Sequence, residues 1–382
     1  MAPIKAAIIG LSASAKTAWA SRAHLPYLFS PLGRSKFEVV ALLNSSTEAA
    51  RAAIKAYNLP ASTKAYGTPE DLAADPEVEL VITNTRVDKH LETALPSVIA
   101  GKDVYIEWPL AANTIEARTL ADAVKQHGGL GIVGLQGPLG PLPKKLREVI
   151  SSGRIGEVLS SELRANGGID GRGVIPASLS YFTERKVGGY VYTIGFAHQF
   201  DLVQSVLGDY KTGPDAPQGF LQIQRPQVKV IGEDKTVVET VTSDTPDLIF
   251  VHGYVDSGAS LHFKFRVDPP FPSDPALVWT IAGTKGEIRV VAPSSTFIHI
   301  GNAADPQKFE VHDFETDTVD EVEWDFEDWQ KELNLQARNI GAIYEDYYEV
   351  KRNGKQKTFV SFDDALKRHE QLEDILANGL KQ

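Results

Sequence analysis

At 382 residues, with 42% hydrophobic and 23% charged side chains, the chain has the composition of a globular protein large enough for two separate cores. Its lack of cysteine excludes a disulfide framework and a thiolate metal site, and fits a reducing, cytoplasmic setting. A net charge of -11 argues against duplex nucleic acid as a direct partner, since that affinity comes largely from Lys and Arg neutralising phosphates.

Met1-Ala2-Pro3-Ile4-Lys5 runs straight into a strand-like segment, so no secretory leader is expected, and no run reaches the about 18 apolar residues of a membrane span. Across residues 1–150, short β-branched runs alternate with helix-length segments. Strands are expected near 4–10, 37–43, 79–84, 103–106 and 130–136, with helices over Glu48–Tyr57, Asp88–Ala100 and Thr114–His127. The last two helices end in a glycine suited to a C-cap. This βαβ order predicts a parallel sheet with helices on both faces.

After Arg154-Ile155-Gly156 the strands lengthen and alternate with period two, as in Leu248–Val255, Leu261–Val267, Leu277–Ala282 and Glu287–Val291. Turn signals such as Gly283-Thr284-Lys285-Gly286 separate them, which predicts an open, mainly antiparallel sheet in a second domain. The Gly- and Pro-rich stretch Gly208–Arg225 reads as a loop insertion, and the acidic run Asp313–Asp328 as an exposed connection. Near Asp325 the chain returns to helix, and Ser361–Leu380 opens on a serine cap with Asp364 three residues on. The predicted domains are 1–150, 151–325 and a helical 326–382.

Ile8-Ile9-Gly10-Leu11-Ser12-Ala13-Ser14-Ala15 stands at the end of the first strand, where a dinucleotide fold cradles pyrophosphate on free backbone N–H groups. Only the first glycine of that fingerprint is present. Ser12 and Ala15 hold the later positions, and small residues there still permit close approach. The competing reading is a tight turn that binds nothing. Past the second strand, Asn44-Ser45-Ser46-Thr47 replaces the carboxylate that would grip a ribose 2'-hydroxyl. Without that acid a 2'-phosphate fits beside Asn44 and Ser45 with Arg51 one helical turn on, which favours NADP(H) over NAD(H). The plain alternative for Arg51 is a solvated helix residue.

The tripeptide Glu107-Trp108-Pro109 closes the apolar run Val104-Tyr105-Ile106. With Gly10, Asn84-Thr85, His90, Gly101-Lys102 and Gly283-Thr284-Lys285-Gly286 in order, the chain resembles the glucose-fructose oxidoreductase / inositol dehydrogenase / MocA family over nearly its whole length. Within that family the fungal galactose-regulon repressor branch gives the best match. The residues that carry it are Gly10-Leu11, Trp19, His24-Leu25-Pro26, Glu107-Trp108, Leu135-Gln136-Gly137, Asn166-Gly167-Gly168 and Ala197-His198-Gln199-Phe200-Asp201.

The resemblance implies a Rossmann-like parallel-sheet domain, then a substrate domain whose open sheet forms a homodimer interface, with the C-terminal helices packing back toward the first domain. It places Asn84, Thr85 and His90 along the cofactor path, Glu107 and Pro109 near the nicotinamide ribose, and Gln136 at the next strand end; the functional reading of Trp108 is an aromatic platform against the nicotinamide or substrate ring. Where the family carries lysine, this chain carries Trp108. An ammonium can trade a proton with a substrate hydroxyl, whereas an indole offers one N–H that does not ionise.

His198 is then the expected proton carrier, with Asp201 three residues on and able to share its helical face. The family's Asp-x-Gly-x-His-x-x-Asp survives here as His198-x-x-Asp201 alone, because the upstream acid falls on Ile194. Tyr192 and Glu107 are the further catalytic candidates; Asn166 and Tyr190, with His198, are the substrate-side ones. Each has a structural alternative: a buried, hydrogen-bonded His198, a packing Trp108, plain strand tyrosines and a bend at Asn166. His252 and His262 lack a third ligand at useful spacing, so no metal site is expected.

Three functions follow. The first is an NAD(P)-dependent oxidoreductase acting on a small hydroxylated or carbonyl substrate. The second is a nucleotide-sensing regulator, cytoplasmic or nuclear, that binds a partner protein. The third is a non-redox enzyme using His198 and Glu107 for elimination or isomerisation. The first is preferred.

Overall fold

The computed structural model describes residues 2–13, 18–168, 171–301 and 304–380. Its chain divides into two compact units. The first holds Met1–Gln136, Lys186–Gly189 and Glu327–Glu370, and the second holds Gly137–Arg185, Tyr190–Phe326 and Gln371–Gln382.

The first unit is built on a six-stranded parallel sheet of β1 (Ile4–Ile9), β2 (Phe37–Leu43), β3 (Lys64–Tyr66), β4 (Leu80–Thr83), β5 (Asp103–Ile106) and β6 (Gly131–Val133), in the order β3-β2-β1-β4-β5-β6. Every residue of β4 and β5 is buried, as expected of strands covered on both faces. The helix Thr47–Ala56 is capped by Ser46, whose side chain accepts from Ala49 N. Thr114–His127 is capped by Asn113 and ends at Gly128, whose φ of 82° is open to glycine without strain. The segment returning from Glu327 brings in the helix Leu335–Asn353. Tyr344 of that helix stacks on Tyr27 at 5.4 Å, and Tyr347 donates to Asp103 at 2.7 Å.

The second unit carries an eight-stranded mixed, mainly antiparallel sheet in the order β17-β16-β15-β14-β7-β13-β12-β9. Its strands are β7 (Val158–Asn166), β9 (Gln218–Gln222), β12 (Leu248–Tyr254), β13 (Ser260–Arg266), β14 (Leu277–Gly283), β15 (Gly286–Ala292), β16 (Lys308–Asp313) and β17 (Thr318–Glu321). A smaller sheet joins β8 (Val174–Pro176), β10 (Gln227–Ile231) and β11 (Val237–Thr242). Alternation places one face of the large sheet in the core, where Trp279 is fully buried and donates to Ser161 Oγ at 2.8 Å. The helix Ala197–Leu207 packs Phe200 against Phe263 of β13.

Three expectations need correction. Gly208–Arg225 is not all loop, since β9 lies inside it and pairs antiparallel with β12. The acidic connection contains β17, every residue of which is exposed, paired to β16. The parallel sheet has a sixth strand, β3, too short to leave an apolar run.

Candidate functional site

Register in the parallel sheet aligns Ile9, Thr83, Ile106 and Val133 across β1, β4, β5 and β6. The residues that follow, Gly10, Asn84, Glu107 and Gly134, therefore emerge together at the carboxyl ends of four adjacent strands. Backbone bonds tie them across the edge: Asn84 N donates to Ile9 O at 3.0 Å, Glu107 N to Thr83 O at 3.3 Å and Gly134 N to Ile106 O at 2.9 Å. Strand order reverses beside β1, and in open parallel sheets ligands bind outside the strand ends at such a point.

Gly10 is obligatory there. Its φ is 88°, and a Cβ on it would lie 2.9 Å from Asn84 O. Both polar atoms of the Asn84 carboxamide are buried without a hydrogen-bond partner among the described residues, as is Oε1 of Gln136, a residue 1% exposed. Buried amides are normally satisfied. A pair of open donor and acceptor atoms beside a glycine that admits close approach fits a bound dinucleotide.

The loop itself is held from behind. Gly10 N donates to Leu43 O at 3.0 Å, the Asn44 amide to Leu11 O at 2.9 Å and Tyr57 Oη to Ser12 O at 3.2 Å. Ser12 is half-buried and Ala13 exposed, while Ala15 lies outside the described residues. Asn44 is thus a brace for the loop, in place of the phosphate contact expected of it. Ser45 and Arg51 are exposed, and both remain open to a ligand.

At the end of β5, Glu107 Oε1 accepts from Tyr105 Oη at 2.9 Å and from His24 Nε2 at 2.9 Å. His24 is fully buried, and its Nδ1 lies 2.6 Å from Tyr344 Oη. Burial and the Glu107 charge push the Tyr344 phenol far above its ordinary range, so it keeps its proton. Gly134 leaves room for this arrangement, since a Cβ there would fall 2.5 Å from Glu107 Oε2.

Trp108 is 6% exposed, and its indole faces the His369 ring at 4.8 Å. Burial, with His90 nearby, lowers His369 to about 4. His90 is buried between two carbonyls, with Nδ1 2.9 Å from Pro109 O and Nε2 3.0 Å from Thr85 O. Burial keeps the ring neutral, so it carries one N–H and donates to one of these two carbonyls while sitting against both the Thr85 and Pro109 turns. Thr85 Oγ1 lies 3.4 Å from Thr93 Oγ1.

In the second unit His198 sits in the first turn of Ala197–Leu207, and its ring stacks on His299 at 4.1 Å and 13°. Burial and the neighbouring His198 hold His299 well below its ordinary value. Asp201, 4% exposed, lies one turn further along the helix. The proton-carrying role expected of Tyr192 is contradicted. Its side chain is completely buried, its Oη donates to Leu372 O at 2.8 Å, and burial pushes the phenol far above the range of acid-base work. Tyr190 is 3% exposed, stacks on Tyr192 at 6.4 Å and is likewise raised by burial. Asn166 closes β7, with its N donating to Ala276 O at 2.8 Å.

Sequence reasoning missed His24 as a site residue, along with Tyr105, Tyr344, His369 and His299. A buried-side tyrosine two residues before Glu107 was the one local signal; the others arrive from distant parts of the chain.

Residues 4–135 match the family model for an oxidoreductase family with an NAD-binding Rossmann fold, GFO/IDH/MocA, and residues 141–292 match that for the Gal80p C-terminal domain. The chain is 28% identical over 379 residues to dehydrogenase aclE of Aspergillus oryzae, a span of 98% of this chain and 96% of that protein. It is 27% identical over 310 residues to the galactose/lactose metabolism regulatory protein GAL80 of Saccharomyces cerevisiae, covering 79% of this chain and 69% of that one. The crystal structure of a super-repressor mutant of Gal80p from Saccharomyces cerevisiae has the same fold, with a TM-score of 0.86 at 22% identity over 99% of this chain and 96% of that chain. The chain thus joins a domain of the GFO/IDH/MocA oxidoreductase type with an NAD-binding Rossmann fold, over residues 4–135, to one of the Gal80p C-terminal type, over residues 141–292.

Proposed function

We propose that this protein is an NAD(P)-dependent oxidoreductase acting on a small hydroxylated or carbonyl compound. The observation that carries the reading is the open, buried carboxamide of Asn84, the residue whose backbone carbonyl lies against Gly10 at the strand ends. The end-to-end similarity to a dehydrogenase supports it further. Gly10, Ser12 and Ala13 hold the pyrophosphate, Asn84 and Gln136 meet the nucleotide with their open polar atoms, and Glu107 receives a ribose hydroxyl. Ser45 and Arg51 favour NADP(H). A bound nicotinamide would accept the hydride of the carbinol carbon, and His198 is our candidate for the group that would take the hydroxyl proton. Trp108 cannot do so, and positioned acid-base groups contribute about 10²- to 10⁴-fold, so turnover is expected to be slow unless His198 makes up that loss.

We also propose a homodimer through the open face of the large sheet, where the directly paired Phe220 and Phe250 stand exposed with rings 6.3 Å apart, near Tyr254.

A regulator reading has its own support in the Gal80p C-terminal match and the burial of Trp108 at the family's lysine position. Tryptophan fluorescence titrated with NADH and NADPH, followed by cofactor turnover on sugars, sugar acids and ketones, separates the two. Turnover that disappears in His198→Ala supports the enzyme. Tight nucleotide binding with no turnover on any class overturns it in favour of the regulator.

A further inference from the structure

Glu107 is held by an arrangement more specific than packing requires. Two donors, the Tyr105 hydroxyl and His24 Nε2, converge on the same oxygen, Oε1, each at 2.9 Å. Among the described residues no donor reaches Oε2, and the side chain retains 13% exposure. His24 is in turn fixed through Nδ1 by Tyr344 at 2.6 Å. A phenol that keeps its proton donates to Nδ1, which leaves Nε2 carrying the ring hydrogen and aimed at the carboxylate. The imidazole is wedged edge-on against the rings of Tyr105 and Tyr344, with centroids at 5.2 and 5.8 Å, so it cannot swing away. Gly134 lets the carboxylate itself lie close against the backbone, since a Cβ there would fall 2.5 Å from Oε2.

We infer that His24 is a positioning residue for the nucleotide site: with Tyr105 it saturates one oxygen of Glu107 and presents the other to a ribose hydroxyl of the bound dinucleotide. A carboxylate with one oxygen already bound has a single orientation, so the ligand does not have to order it on binding. The hydroxyl-to-carboxylate bond is charge-assisted and among the stronger kinds. This inference rests on the nucleotide-site reading above.

The test titrates the full chain with NADH and NADPH, read by tryptophan fluorescence, for wild type, His24→Gln and His24→Asn, each also on a Glu107→Gln background. Glutamine places its amide nitrogen where the imidazole Nε2 stands and keeps the donor to Glu107. Asparagine reaches only the Nδ1 position. His24→Asn is expected to weaken binding about tenfold and His24→Gln to stay within about twofold of wild type, with neither change mattering further once Glu107 is glutamine. Melting temperatures distinguish loss of positioning from loss of fold. Should His24→Asn not fold, Tyr344→Phe, which deletes a single oxygen, serves the same comparison and is expected to weaken binding. Folded variants that bind like wild type, or an undiminished His24→Asn effect on the Glu107→Gln background, overturn the positioning role. A wild type that binds neither dinucleotide fails at the earlier step, the nucleotide reading, and the inference falls with it.

Discussion

The indole of Trp108 and the imidazole of His369 face each other at 4.8 Å, tilted by 49°. Trp108 is therefore sealed against a neutral aromatic partner, and both side chains are more than nine-tenths buried. An ammonium at that position would lose its hydration beside a ring with no charge to offer in return. The two rings form one buried structural unit, which suits an indole better than it would suit a charged side chain.

His369→Phe keeps the ring contact and deletes a buried nitrogen, Nε2, that has no hydrogen-bond partner among the described residues. At neutral pH the melting temperature is expected to hold or rise, because removing an unsatisfied buried polar atom relieves a cost of about 1–3 kcal/mol. Acid behaviour supplies a second measure. Burial holds the imidazole down at about 4, below its ordinary 6.5, so between those values the unfolded chain binds more protons and stability falls as pH drops. The contribution reaches about 1.4 kcal/mol per pH unit inside that window. Thermal melts from pH 7 to pH 4 should show a shallower decline in His369→Phe; an unchanged slope would mean the ring is not held neutral.

Gly10→Ala should damage both fold and nucleotide binding. At φ of 88° an alanine is strained, and its Cβ would press on Asn84 O at 2.9 Å, pushing the two strand ends apart. A loss of about 1–3 kcal/mol is expected in urea unfolding, with dinucleotide affinity falling more steeply than stability. Wild-type affinity in a destabilised variant would show that the loop does not touch the ligand.

Asn84→Leu should separate stability from function in the opposite sense. The carboxamide makes no internal bond, so an apolar replacement of similar size leaves the free protein at least as stable. Binding of NADH should weaken about tenfold if the open amide meets the nucleotide. Isothermal titration beside a melting curve reads both at once, and equal affinity in the two proteins would remove Asn84 from the site.

Parts of this arrangement were legible in the sequence and parts were not, for physical reasons. Gly10, Asn84 and Glu107 each follow a short apolar run, and buried parallel strands leave that signature, so their strand-end positions could be read directly. β3 spans three half-buried residues and β17 four exposed ones, so neither carries a hydrophobic pattern. β9 lies in a Gly- and Pro-rich stretch with one buried residue, Leu221, and is held by its pairing with β12. The partners of Glu107 were hidden by distance along the chain, since Tyr344 meets His24 across 320 residues. Nothing local in the helix Leu335–Asn353 distinguishes Tyr344 from the tyrosines beside it.

Tyr192→Phe tests the corrected role of that residue. The hydroxyl donates to Leu372 O from a completely buried ring, so its removal strands a buried carbonyl and should cost about 1 kcal/mol of stability. Nucleotide affinity and any turnover should be unchanged, including their pH dependence. A loss of turnover at unchanged stability would restore the phenol as a proton carrier.

Arg51→Ala addresses cofactor choice. Arg51 is exposed on the helix Thr47–Ala56, one turn past the Ser46 cap, and the preceding strand end offers Asn44 and Ser45 in place of a carboxylate. A 2'-phosphate paired with the guanidinium gains a charge-assisted contact that a 2'-hydroxyl cannot use. The variant should therefore bind NADPH about tenfold more weakly while its NADH affinity stays within about twofold of wild type, and raising salt should erase the difference in the wild type as well. Parallel titrations with the two dinucleotides at low and high ionic strength measure this. An equal change for both ligands, or none for either, would mean that Arg51 is a solvated helix residue that does not select between the cofactors.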